Sequence, residues 1–175
     1  MIKKVNHFSI VVKDLDQVVA FFRDLLGLTD IWPIYEYEGT ELDVSIGLPG
    51  ARAHCRIAKI EVGETIIEFM QYLAPPGREL KGAPNDVGTP HIAFEVDDLD
   101  GMYASLKQRG VRFKSEPLAL TTDERHPMYG WREVDLWGPE HDDGESIRGA
   151  WFHGPKYAGA KLGLEVFLFQ IGGTL

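Results

Sequence analysis

Two histidines and two glutamates recur in matching settings along this chain. His7 lies in Val5-Asn6-His7-Phe8-Ser9-Ile10-Val11-Val12, and His91 lies 84 positions later in Thr89-Pro90-His91-Ile92-Ala93-Phe94-Glu95-Val96. Each histidine stretch leads into an Asp-Leu-Asp, at Asp14-Leu15-Asp16 and at Asp98-Leu99-Asp100. The glutamates sit inside apolar runs, Ile66-Ile67-Glu68-Phe69-Met70 and Gly163-Leu164-Glu165-Val166-Phe167. A carboxylate flanked by strand hydrophobes either faces water at an edge or is paired. Taken singly, a strand His or Glu is more often a satisfied ordinary residue than a ligand. Repeated together, two imidazoles and two carboxylates make a mixed nitrogen and oxygen set suited to one divalent transition metal, with positions left open for exchange.

The elements that must position these groups follow from periodicity. From Val5 to Val12 the residues alternate, placing Phe8, Ile10 and Val12 on one face and Val5, His7, Ser9 and Val11 on the other. The first face suits a core under a helix; the second, with small Ser9 beside His7, suits a cavity wall. Asp14 or Asp16 can cap the following helix, whose apolar stripe is Val18, Val19, Phe22, Leu25 and Leu26, with Gly27 as its stop. The second copy has Leu99, Met102, Tyr103 and Leu106 as its stripe and Gly110 as its stop.

Three strands are expected after the first helix: Leu42–Leu48, Ala53–Val62 and Thr65–Tyr72. Residues 1–73 thus form a strand–helix–three-strand module, 74–88 a Pro- and Gly-rich linker, and 89–175 a second module. The second module is the longer one, with a polar loop expected over 121–149, a penultimate strand at Ala150-Trp151-Phe152 and a last strand over Leu162–Ile171. The fold class expected is α+β, as one compact domain.

Bulk properties narrow the function. The net charge of -9 argues against nucleic acid and anionic membrane as partners. A lone cysteine, Cys55, excludes an internal disulfide and suits a reducing, cytoplasmic setting. No signal peptide or membrane-length apolar run is evident. Several other residues carry chemistry of a weaker kind. His141, Asp142, Asp143 and Glu145 lie in a polar loop and read as solvated, as do His126 and His153. Cys55 reads as a small buried hydrophobe. Trp131 and Trp137 could roof a pocket or pack a dimer.

The whole pattern resembles the vicinal oxygen chelate superfamily, which includes glyoxalase I, methylmalonyl-CoA epimerase, extradiol dioxygenases and bleomycin-resistance proteins. The resemblance rests on the openings at His7 and His91, on Ile-Ile-Glu at Glu68 and on Leu-Glu-Val at Glu165. Phe152-His153-Gly154-Pro155-Lys156 adds a match to the epimerase's Phe-x-His-Pro-Lys, with Gly154 inserted. It implies two βαβββ modules whose curved mixed sheets form a metal-binding cup, with His7, Glu68, His91 and Glu165 as ligands of Zn, Ni, Co, Mn or Fe. It also implies a homodimer and a small-molecule substrate with adjacent oxygens.

The reaction expected is proton abstraction next to a carbonyl through a metal-bound enediolate, by an isomerase, epimerase or glyoxalase-type lyase. Glu165 is the first candidate for the base and Glu68 the symmetric one. The epimerase's further carboxylate points to Asp43, and Glu95 shares the His91 face. An extradiol-type dioxygenase is the alternative enzyme, although Glu68 would then be a surplus ligand. A metal-free binding or resistance protein ranks third.

Overall fold

Strand β1, Phe8–Val11, lies at one edge of a four-stranded sheet in the computed structural model, which describes residues 1–78, 85, 87–137 and 165–171. In the last of these segments the side chains described are those of Val166, Leu168 and Gln170. The chain forms two units, Met1–Leu80 and Lys81–Leu175. The class is α+β with mixed sheets.

In the first unit the sheet order is β1-β4-β3-β2, built with β2 Tyr35–Glu38, β3 His54–Val62 and β4 Thr65–Ala74. Strand β1 runs parallel to β4; the other neighbours are antiparallel. Helix α1, Leu15–Ala20, starts where the Asp14 carboxylate accepts the Gln17 amide hydrogen at 3.0 Å. It continues into a π-helical turn, Phe21–Leu25, and Gly27 follows with φ 75°, a left-handed conformation that favours glycine. Phe21, Phe22 and Leu25 are all buried, and Phe22 stacks on Phe69 of β4 with ring centroids 5.0 Å apart. This covers the face of the sheet formed by Ile10, Ala58, Ile60, Ile67 and Phe69, all buried.

Residues Leu42–Leu48 are not a strand. Helix α2 occupies Thr40–Ser45, and the strand preceding β3 is instead β2. Leu42, Val44 and Ile46 look like one face of an alternating strand, but Leu42 is 2% exposed while Val44 is 67% exposed. Leu42 clusters with Ala53, Cys55 and Ile57, and half-buried Ile46, four residues on as one helix face requires, packs against that cluster along with Met70 and Tyr72. Burial of that pair decides the local structure over the strand propensity of Val44.

The second unit runs β5 His91–Glu95, α3 Leu99–Gln108, β6 Leu118–Ala119, β7 Trp131–Trp137 and β8 Glu165–Ile171, in sheet order β5-β8-β7-β6. Asp98 caps α3 by accepting the Gly101 amide hydrogen at 2.9 Å. Its core includes Ile92, Leu99, Leu106, Val134, Leu136, Val166 and Leu168. The stretch expected to be loop over 121–149 therefore contains a strand. Val134 and Leu136 are buried on one face of β7, with charged residues alternating between them, so the polar composition concealed its period of two. The expected strand at 150–152 lies outside the described residues. No helix among the described residues is long and apolar enough to cross a membrane.

Candidate metal and acid–base site

The register of the first sheet puts Ser9 of β1, Glu68 of β4 and Lys59 of β3 side by side in one row. Glu68 is 7% exposed, so its carboxylate needs partners, and each oxygen has its own. Oε1 accepts a hydrogen bond from the Ser9 hydroxyl and lies 3.6 Å from His7 Nε2. Oε2 lies 3.1 Å from the Lys59 ammonium. His7 lies just before β1, two residues ahead of Ser9, and its ring reaches Glu68 from there.

The other ring nitrogen of His7, Nδ1, is 2.8 Å from Asn6 Oδ1. A hydrogen on Nδ1 donated to that oxygen leaves Nε2 with a lone pair directed toward Glu68. Two ligand atoms bound to a shared metal at about 2.0–2.2 Å each lie roughly 3–3.5 Å apart. The His7–Glu68 separation is close to that spacing, so the donor pair fits a divalent cation.

Lys59 is the residue of this cluster that sequence reading passed over. Burial alone would lower its pKa; the hydrogen bond and charge of Glu68, together with Tyr35, outweigh that and raise it. Its ammonium also lies 5.3 Å from the centre of the Trp32 ring, a cation–π distance. In sequence Lys59 is an ordinary wet position of an alternating strand, and only cross-strand pairing reveals its contact.

In the second unit, His91 of β5 pairs directly with Glu165 of β8, and Trp137 of β7 pairs with Glu165 on the other side. Glu95 lies further along the same strand opposite Phe169. The two units do not place their glutamates equivalently. Arg56 pairs with Gln71 in the first sheet as Arg132 pairs with Gln170 in the second. With those pairs aligned, the counterpart of Glu68 is Phe167 and that of Lys59 is Asp135. Glu165 lies one same-face position earlier, so the expected matching of the two carboxylates is off by two residues. Asp135 lies 3.6 Å from Lys114, and burial raises the pKa of Glu133 two residues before it.

Asp43 has a structural job. It is buried in α2, and its carboxylate accepts the backbone hydrogens of Arg52 at 3.0 Å and Ala53 at 2.6 Å. Those bonds hold Arg52 in a left-handed conformation, φ 56°. Cys55 is buried with its thiol pKa pushed up, by burial first and then by the charge of Glu68, which suits an inert hydrophobe more than a nucleophile. His126 is exposed and accepts the Met128 amide hydrogen through Nδ1. Among the described residues, no three His, Cys, Asp or Glu side chains gather around one point. His141, Asp142, Asp143, Glu145 and the 152–156 segment lie outside the described residues.

The model of the Glyoxalase/Bleomycin resistance protein/Dioxygenase superfamily matches residues 4–128, most of the chain. The chain belongs to this superfamily. A 2-epi-5-epi-valiolone epimerase from Actinomyces sp is 32% identical over 144 residues, covering 77% of this chain and 74% of that protein. The mitochondrial methylmalonyl-CoA epimerase of Homo sapiens is 26% identical over 122 residues, 67% of this chain and 60% of that one. The lactoylglutathione lyase of Schizosaccharomyces pombe is 32% identical over 123 residues, 65% of this chain but 39% of its own length. Superfamily members similar to this chain thus include epimerases and a lyase. The solved structure of a glyoxalase family protein from Bacillus cereus has the same fold, with a TM-score of 0.69, 21% identity and coverage of 99% and 97% of the two chains.

Proposed function

We propose that this protein is a divalent-metal-dependent isomerase or epimerase, or a glyoxalase-type lyase, that removes and returns a proton next to a substrate carbonyl. The observation that carries this is the His7–Glu68 pair, whose Nε2 and Oε1 face each other at 3.6 Å with Nδ1 engaged by Asn6. The epimerase and lyase relatives support the reaction class. His7, Glu68, His91 and Glu165 are the proposed metal ligands, with Zn, Ni, Co, Mn or Fe as the candidate ions. When bound, the cation supplies Lewis-acid stabilisation of negative charge developing on the substrate's adjacent oxygens.

The chain's own groups do the rest. A carboxylate within reach of the substrate α-carbon takes the proton and gives it back. Glu165 is the proposed base, since Lys59 holds Oε2 of Glu68 and Oε1, which accepts from Ser9, is the oxygen proposed for the ion. Asp43 is not retained as a base, because its oxygens hold backbone amides. The substrate proposed is a small oxygenated molecule, and the Actinomyces relative makes 2-epi-5-epi-valiolone the first compound to screen. A homodimer and a cytoplasmic location belong to the same proposal.

Elemental analysis of the purified wild type and of His91→Ala, side by side, tests it. About one divalent transition metal per chain, lost in the variant, is the expected result. Proton exchange from solvent deuterium into 2-epi-5-epi-valiolone, methylmalonyl-CoA and a hemithioacetal then identifies the substrate class. No metal after reconstitution with each of the five ions refutes the enzyme assignment and leaves a binding protein. Iron with oxygen uptake on catechols supports the dioxygenase instead.

A further inference from the structure

We infer that Lys59 is a positioning residue for Glu68, restricting it to present one oxygen, Oε1, to a metal ion. The inference rests on the proposed metal site and adds to it a determinant of how that site binds. Glu68 is held from two sides by two different strands. Ser9 of β1 donates to Oε1, and Lys59 of β3 takes Oε2 at 3.1 Å. Both neighbours are fixed by register, since Ser9 and Lys59 are the direct cross-strand partners of Glu68. The ammonium is itself anchored. Trp32 donates its backbone N–H to the Lys59 carbonyl at 2.9 Å and sets its ring beside the Lys59 charge.

A carboxylate carried on a flexible side chain can bind a metal through one oxygen or through both. Lys59 occupies Oε2, which leaves Oε1, the oxygen that faces His7 Nε2 and keeps a second lone pair beside its Ser9 hydrogen bond, for the ion. Hydrogen-bonded partners of metal-binding carboxylates commonly affect metal affinity by about 10–100-fold when removed. The corresponding row in the second sheet is Ala93, Phe167 and Asp135, so this support belongs to the first unit alone.

The test is Mn(II) affinity by isothermal titration on the full-length wild type, Lys59→Met and Lys59→Arg, with the visible absorption of Co(II)-loaded samples alongside. Lys59→Met is expected to weaken Mn(II) binding by about 10–100-fold and to alter the Co(II) spectrum, with far-UV circular dichroism unchanged. Lys59→Arg, which keeps a cationic donor toward Oε2, is expected to restore both. If Lys59→Met does not fold, Lys59→Thr, a strand-favouring residue too short to reach Oε2, takes its place under the same expectation. Unchanged affinity and spectrum in a folded variant overturn the inference. So does tighter binding, which would make Lys59 a charge that repels the ion. A wild type that takes up no Mn(II), Co(II) or Zn(II) instead refutes the metal-site proposal itself, and this inference with it. A wild type that binds while Lys59→Met matches it refutes only the role of Lys59.

Discussion

Arg56 grips Asp16 with both terminal guanidinium nitrogens, at 2.8 and 3.0 Å, tying the first turn of α1 to the middle of β3. The second unit repeats the arrangement with Arg132 and Asp100 at 2.6 and 2.8 Å. In each unit a strand glutamine completes the clamp. Gln71 donates to the Lys13 carbonyl at 2.8 Å, and Gln170 donates to the Asp97 carbonyl at 2.7 Å. The Asp-Leu-Asp of the repeat therefore divides its labour: the first aspartate caps the helix and the second anchors it to the sheet.

A double-mutant cycle on Asp16→Ala and Arg56→Ala measures that anchor. Asp16 is largely exposed, so solvent screening keeps the coupling to under about 1 kcal/mol despite the two-pronged geometry. Urea unfolding of the four proteins is expected to return that small positive coupling, decreasing with added salt. A zero coupling at low salt would show that the contact does not contribute.

The same pair fixes a pH dependence. The Arg56 hydrogen bond, opposed by partial burial and reinforced by the guanidinium charge, holds the Asp16 pKa below its ordinary value. A lowered folded-state pKa means the folded state resists protonation. The contribution is complete above the ordinary carboxylate pKa and is lost as pH falls through the lowered one. Stability of the wild type relative to Arg56→Ala is expected to shrink over that acidic window and to be flat above it. Urea midpoints measured from pH 7 downward check this.

Asp43→Ala removes the acceptor from two backbone amides, one of them buried. Unsatisfied buried donors cost about 1–3 kcal/mol each, so a loss of roughly 3 kcal/mol is expected in chemical unfolding. Were Asp43 the catalytic base, turnover would collapse by orders of magnitude in a variant that still folds. Retention of solvent proton exchange by the folded fraction is the expected outcome.

Much of the fold could be read from local pattern, because in β1, α1, α3, β3, β4 and β5 the apolar period and the buried face coincide. Three features could not. Leu42, Val44 and Ile46 fit the strand period and Leu42 with Ile46 alone the helical one, and only packing at Cys55 and Ile57 selects the helix. In β7 the alternation of Trp131, Glu133, Asp135 and Trp137 was hidden by its charges, so strand residues resembled loop. Lys59 carries no local signal, since its meaning comes from a partner nine residues away across a hairpin. A repeated histidine and a charge inside an apolar run make His7 and Glu68 visible as candidates without knowledge of the register. The two-residue offset of Glu165 needed the register of β8.

Phe22→Ala tests the layer beneath the site. Phe22 is fully buried, stacked on Phe69 and edge-on to Phe21 at 5.4 Å. Phe69 neighbours Glu68 on β4 and faces the opposite side of the sheet. Removing the ring is expected to cost about 3–5 kcal/mol by urea unfolding, the usual range for a buried phenylalanine. A loss under about 1 kcal/mol would mean that the π-helical turn is loosely packed.

Glu68→Gln and Glu165→Gln are expected to fail differently, because their settings differ. Glu68→Gln leaves the Lys59 ammonium facing a neutral amide in a buried row, so the variant loses both stability and metal, read by urea unfolding and elemental analysis. Glu165 pairs directly with His91. If it is the base, Glu165→Gln keeps a ligating amide oxygen and retains part of the metal. Proton exchange nevertheless falls by about 10²–10⁴-fold, the usual contribution of a positioned general base. Exchange that survives in Glu165→Gln but vanishes in metal-loaded Glu68→Gln would transfer the role of base to Glu68, against the commitment of its oxygens to Ser9 and Lys59.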